Sequence, residues 1–310
     1  MSAFGGVGPK TPEMSESVKI DQPWVHTHSC VLPAPPSRVF RALTDATELR
    51  RWFAEHVEVD PRPEGAYRFW GRHTYGTPSE AGAGQHLTRF EPDRALAIQW
   101  IFDGAETEAS IELESGDTDE RTQLTLRHRF PARPPEPDGA DLVDDMWRLT
   151  FGNLDAHLRG GEGIVLIDHS DPAPEVRASI LIDAPPERVF SALMDPGALD
   201  QWIAGAAAVE PRIGGRYTYG WRYTVGDREV VGGPTRILDL VENERLVTDW
   251  PDWRGDESKP PTRVAWLLER VGTQTRVTVV HGTFPRAADV GDYPFGWQDF
   301  LGKLKSLVEK

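Results

Sequence analysis

The chain has 310 residues, 39% hydrophobic and 27% charged, with 11 Trp, 6 Tyr and 12 Phe. That excludes a fibre, a short disulfide scaffold and a wholly disordered chain, and its length fits two domains or one large one. Acidic residues outnumber basic ones by 49 to 34, a net charge of −15, which repels phosphate backbones and anionic headgroups, so neither nucleic acid nor membrane is an expected partner. The single cysteine, Cys30, allows no internal disulfide, and no run of about 18 apolar residues occurs; the expectation is a cytoplasmic protein. An excess of Arg over Lys and abundant Ala, Gly and Pro suit a GC-rich bacterial genome.

Residues 1–23 lack the apolar centre of a signal peptide and read as a flexible leader. From Ala34 the chain reads APPSRVFRALTDATELRRWFAEHVEVDPRPEGAY, and from Ala184 APPERVFSALMDPGALDQWIAGAAAVEPRIGGRY, identical at 17 of 34 positions without a gap. The offset of 150 returns at Leu96/Leu246, Trp100/Trp250, Trp147/Trp297 and Leu154/Leu304. A period this long means two domains with separate cores rather than a solenoid. The expected division is residues 24–160 and 175–310, with a linker at 161–174 whose Ile164–Ile167 run either adds a strand or docks on a neighbour.

Within a copy, an alternating strand (176–182) leads through Ala-Pro-Pro into a helix carrying Val189, Phe190 and Leu193 at helical spacing. Asp45-Ala-Thr-Glu48 has the form of a capping box opening a second helix, and Asp195 stands at the same place in copy 2. Period-two segments follow at 216–223, 229–240, 245–250, 262–270 and 274–281, an antiparallel meander. Each copy closes with a helix, 143–158 and 295–308, whose stripes are Trp147/Phe151/Leu154/Leu158 and Trp297/Leu301/Leu304/Val308.

This order, with Ala-Pro-Pro-x-Arg-Val-Phe-x-Ala-Leu, a following Trp, Gly-Gly-x-Tyr, Leu-x-x-x-Trp and Phe-Gly-Trp-x-x-x-Leu-x-x-Leu, resembles the START-like (SRPBCC) superfamily and within it the heat-shock-protein ATPase activator homologue (AHSA) family. The likeness covers about residues 25–159 and 175–310. It implies an α+β fold of two tandem helix-grip domains, each a curved antiparallel sheet around a long C-terminal helix, with a cavity between them.

On the strand 216–223, Tyr217, Tyr219, Trp221 and Tyr223 share one face, either a dense core or a ligand wall. Copy 1 has Tyr67, Phe69, Gly71 and His73 there, so its cavity is expected to be the larger and more polar. Trp52, Trp100, Trp147 and Phe151, with Trp250, His281 and Trp297 in copy 2, complete the ligand-contact candidates. Proton-transfer candidates are His73, Tyr75 and His128, with His86, Gln99, Glu106, Glu108, Asp144 and Asp145 as further polar groups; His128 and His281 also fit strand-end histidines bonded to a loop. His26-x-His28 puts two imidazoles on one strand face without a third ligand at near spacing, so no metal is expected, and no cofactor motif occurs. Residues 131–141 and 285–292 read as cavity rims or plain spacers. The resemblance implies binding of a hydrophobic small molecule of lipid, polyketide or aromatic-metabolite type; the alternatives are a cyclase-, aromatase- or hydrolase-type enzyme on such a ligand, and a chaperone-ATPase regulator.

Overall fold

A computed structural model describes residues 23–134, 139–225, 228–252, 255–256 and 258–310. The leader, save Pro23, and Pro135–Asp138 of the first expected rim lie outside the described residues.

Copy 1 begins with β1 (Trp24–Leu32), whose inward positions 24, 26, 28, 30 and 32 alternate with exposed ones, as a strand with one covered face requires. Proline at the first turn opens α1 (Pro36–Thr44), which buries Val39, Phe40, Ala42 and Leu43. Asp45 then caps α2 (Ala46–Trp52) by accepting from the Thr47 and Glu48 amides at 2.7 and 3.0 Å. Glu48 does not reach back to complete a capping box; its carboxylate takes Arg38 at 2.7 Å, Arg41 at 3.1 Å and His157 at 2.8 Å. A short hairpin, β2 (His56–Val59) and β3 (Tyr67–Trp70), leads to β4 (His86–Glu91), β5 (Ala95–Phe102), β6 (Ala105–Ser115) and β7 (Thr122–Phe130), and α3 (Gly139–Leu158) closes the copy. The antiparallel sheet runs β1-β7-β6-β5-β4.

Copy 2 repeats the plan with β8 (Val176–Ile182), α4 (Pro186–Met194), α5 (Pro196–Leu199), β9 (Ala208–Val209), β10 (Tyr217–Thr218), β11 (Trp221–Val225), β12 (Arg228–Gly232), β13 (Ile237–Val241), β14 (Arg245–Trp250), β15 (Thr262–Val271), β16 (Gln274–Gly282) and α6 (Tyr293–Val308). Its sheet order, β13-β14-β15-β16-β8, mirrors the first. Each copy has its own buried core, so the chain is two tandem helix-grip domains of the α+β class.

Two expected strands are broken. The segment 216–223 is interrupted at Gly220 (φ +69), where a Cβ would stand 2.7 Å from the Ala206 carbonyl, and 229–240 splits at Gly233 (φ +84). Residues 160–175 form neither helix nor strand; Ile164–Ile167 docks instead of pairing. Asn153 of α3 donates from Nδ2 to the Val165 carbonyl (2.7 Å) and accepts the Val165 amide on Oδ1 (2.8 Å). The His169 amide donates to the Arg72 carbonyl at 2.8 Å.

The copies meet where α3 faces α6. Gly152 touches the Phe295 ring so closely that a Cβ would lie 2.4 Å from Cε2, and Arg148 approaches Asp292 at 3.7 Å. Among the described residues no helix is long and apolar enough to cross a membrane.

Candidate functional site

The duplication separates what the fold needs from what one copy has added, because a feature present twice is explained by the shared architecture. Tyr67 donates to the Leu43 carbonyl and Tyr217 to that of Leu193, both at 2.7 Å. Trp52 Nε1 bonds the Ala42 carbonyl (3.3 Å) and Trp202 that of Ala192 (3.2 Å). Tyr67 and Tyr217 therefore pin β3 and β10 to the first helix of each copy, and Trp52 and Trp202 hold the second helix region against the first.

The strand-end histidines are a third repeated device. Trp147 Nε1 donates to His128 Nδ1 at 3.1 Å, which fixes the proton on Nε2; that nitrogen meets Thr107 Oγ1 at 2.9 Å, and the threonine hydroxyl donates on to the Trp100 carbonyl at 2.8 Å. Copy 2 repeats this with Trp297, His281, Thr262 and Trp250. Burial pushes both imidazoles down to a pKa of about 3. Both are fully buried with both ring nitrogens occupied, and His128 does not line the cavity, so the geometry favours the structural role over proton transfer.

Copy 1 holds a partly open cavity of about 60 Å³ between sheet and α3. Trp52, Phe53, Phe69, Trp100 and Trp147 wall it, the linker residues Val165–Ile167 cover it, and His73, Thr74, Tyr75 and His169 line it on the polar side. A deeper void of about 20 Å³ shares part of this wall and adds Tyr67 and Phe151. His73 Nδ1 lies 2.9 Å from the Ile167 carbonyl and must donate to it, so in the neutral ring Nε2 is the acceptor. Tyr75 stacks on Phe102 at 5.0 Å and meets His169 edge-on at 5.9 Å. Burial raises the Tyr75 pKa, with Asp103 assisting, and lowers that of His169, with the His73 charge assisting. Thr74 Oγ1 is buried without a hydrogen-bond partner.

In copy 2 the same space is full. Trp221 donates to the Ile203 carbonyl at 2.6 Å, stacks on Phe300 at 5.7 Å and lies 5.9 Å from Trp250. At an offset of 150 those neighbours are Phe53, Thr150 and Trp100, all on the wall of the copy 1 cavity. Tyr219 and Trp250 complete this aromatic packing, with Trp297 5.1 Å from Trp250. Tyr223 lies apart on the β11–β12 hairpin, half-buried over Gly232.

Two expectations need correction. The alternation Tyr67, Phe69, Gly71, His73 stops at Trp70, because Gly71 (φ +99) begins a turn against Glu55 and His56; His73 reaches the cavity through that turn, and Gly71 does not line it. Nor is the largest space in copy 1: copy 2 carries an open groove of about 610 Å³ beside α6, lined by Gln201, Trp202, Asp299 and Lys303, and a cleft of about 220 Å³ between Trp250 and Pro285, Arg286 and Asp289 of the second expected rim. Gln99, Glu106 and Glu108 pair across strands away from the cavity, Gln99 with Glu106 and Glu108 with Thr88, and His86 stands 3.9 Å from Glu64. Phe53, Thr74, Thr150, Asn153 and His169 were missed; of these, Thr150 was detectable as the small partner of Phe300.

The family profile described as Activator of Hsp90 ATPase homolog 1-like protein matches residues 33–159 and again 183–309, and the chain belongs to that family as a tandem pair. A comparison with curated proteins returns no match. Among solved structures, DynU16 from the dynemicin biosynthetic locus aligns over 92% of this chain and 97% of its own at 18% identity and a TM-score of 0.37. The di-domain ARO/CYC BexL from the BE-7585A biosynthetic pathway aligns over 93% and 99% at 14% and 0.33, and the Aha1 dimer of Colwellia psychrerythraea over 44% and 96% at 20% and 0.34. With TM-scores this low, the fold assignment stands on the family match and the strand order.

Proposed function

We propose that copy 1 takes up a hydrophobic small molecule with a flat or aromatic body and a polar end, in a cytoplasmic protein whose second copy is mainly scaffold. The observation that carries this is the aromatic cavity of copy 1, set against the same space plugged by Trp221 and Phe300 in copy 2. Walls of Trp and Phe suit an apolar ring system. Thr74 Oγ1, buried without a partner, gains one when a ligand supplies an oxygen or nitrogen. A ligand-sized pocket is typically several hundred Å³, so binding from a 60 Å³ cavity requires the 164–169 strap to lift. Fold does not fix function, and membership in a family described by a chaperone-ATPase activator is no reason by itself to assign that activity.

The test is native mass spectrometry after exposure to a hydrophobic metabolite extract. Wild type should retain small molecules that Thr150→Phe, which copies the plug of copy 2, excludes by tenfold or more, roughly the 1.4 kcal/mol step in affinity. Trp221→Ala should keep the ligand while losing about 3 kcal/mol of stability. Equal retention by wild type and Thr150→Phe defeats the reading. A second reading, proton transfer on the same ligand, is favoured by the fixed His73 tautomer beside Tyr75 and His169; it requires new product masses that disappear in His73→Ala while unreacted ligand is still held.

A further inference from the structure

His26 and His28 occupy adjacent inward positions of β1, and the fold brings Asp144 of α3 over them. One donor atom from each of the three lies within 4.8 Å of the other two, the one such grouping of His, Cys, Asp or Glu among the described residues. His26 is nine-tenths buried, and its Nε2 has no hydrogen-bond partner although Asp144 Oδ1 stands 3.8 Å away. That distance is too long for a hydrogen bond. A buried nitrogen normally finds a partner, so one left bare in front of a carboxylate calls for an occupant.

The surroundings suit a cation. Asp144 divides its oxygens: Oδ2 accepts from Arg148 Nε at 2.7 Å, and Oδ1 faces His26. Arg148 thus holds the carboxylate in orientation, as outer partners of metal ligands do, while Asp292 at 3.7 Å offsets part of its charge. His28 stacks on Phe151 at 5.4 Å, which sets its ring plane. At an offset of 150, copy 2 has Val176, Ala178 and Pro294 in place of His26, His28 and Asp144. The fold is complete without all three, so packing does not demand them.

We infer that His26, His28 and Asp144 form a binding site for a divalent transition-metal ion, of the zinc or cobalt kind, with a water completing the coordination. Two imidazoles and one carboxylate are the donor set of open zinc and non-haem iron sites. Zinc bonds of about 2.0–2.1 Å place donors about 3.3–3.5 Å apart, so the three close in by about 1 Å, a movement that rotation of half-buried His28 and Asp144 supplies. None of His26, His28 and Asp144 lines the cavity or the deeper void, and the site meets that wall only where His28 stacks on Phe151.

The experiment is titration of the full chain with Co²⁺, read by its visible ligand-field absorption, followed by displacement with Zn²⁺. One equivalent should bind; His28→Ala and Asp144→Asn should each weaken binding by at least about tenfold, and His73→Ala should leave it unchanged. Zn²⁺ should raise the melting temperature of wild type and not of Asp144→Asn. His26→Val repeats the copy 2 residue, and should it fail to fold, the two substitutions at half-buried positions decide. Absence of stoichiometric uptake, uptake undiminished in His28→Ala and Asp144→Asn, or loss in His73→Ala overturns the inference.

Discussion

At the scale of single residues, burial keeps the two strand-end histidines neutral. His128 and His281 are locked as neutral acceptors of a tryptophan N–H, so protonating Nδ1 would set two donors against each other. Their pKa values fall from 6.5 to about 3. Between those limits the unfolded chain binds protons that the folded chain refuses, so stability falls as pH drops from 6.5 towards 3, by up to about 1.4 kcal/mol per unit for each histidine. Urea unfolding at pH 7 and pH 4.5 should show this slope in wild type and a shallower one in His128→Gln, whose amide can serve both partners without titrating. Equal slopes would remove His128 as a cause. Cys30 is no more available: burial pushes its thiol up to about 11, which leaves it inert.

At the scale of elements, the linker does more than span a distance. Asn153 grips Val165 through both amide atoms, and His73 and the Arg72 carbonyl hold Ile167 and His169. Asn153→Ala removes two hydrogen bonds of about 1 kcal/mol each. Hydrogen exchange at the Val165 amide should accelerate roughly tenfold or more, and ligand association should speed up with it. An unchanged exchange rate would show that the strap is held by its apolar contacts instead. Positive-φ glycines explain why alternation misled at residue 71: a strand has period two only until such a glycine turns the chain, and Gly71, Gly220 and Gly233 each do so.

At the scale of the molecule, the two copies are packed through facing helices. A glycine inside a helix ordinarily gains up to about 1 kcal/mol on replacement by alanine. Gly152→Ala should instead lose about 1–3 kcal/mol, because the new methyl meets the Phe295 ring. Thermal unfolding measures the sign, and a stabilised variant would mean that α3 and α6 do not meet in solution. Arg286 and Asp289 of copy 2 act electrostatically on Tyr75 of copy 1, so loosening this interface should also reach the cavity.

The duplication, the order of elements, the N-cap aspartates and the tryptophan stripes of the last helices were legible in the sequence, because each rests on local chemistry or on identity at one offset. The exchange of Trp221 for Gly71 likewise pointed to a plug present in one copy only, although the backbone carries it out by a turn rather than a strand. The docking of Ile164–Ile167 over the cavity, the pairing of His26 and His28 with Asp144, and the neutral state of His128 were decided by tertiary structure. Those partners lie more than a hundred residues apart or on different elements, and spacing along a chain carries no information about which helix face a sheet will meet. The sequence by itself determined the architecture and its repetition; only the packed chain decided where that architecture leaves a space, a lid and an unpartnered nitrogen.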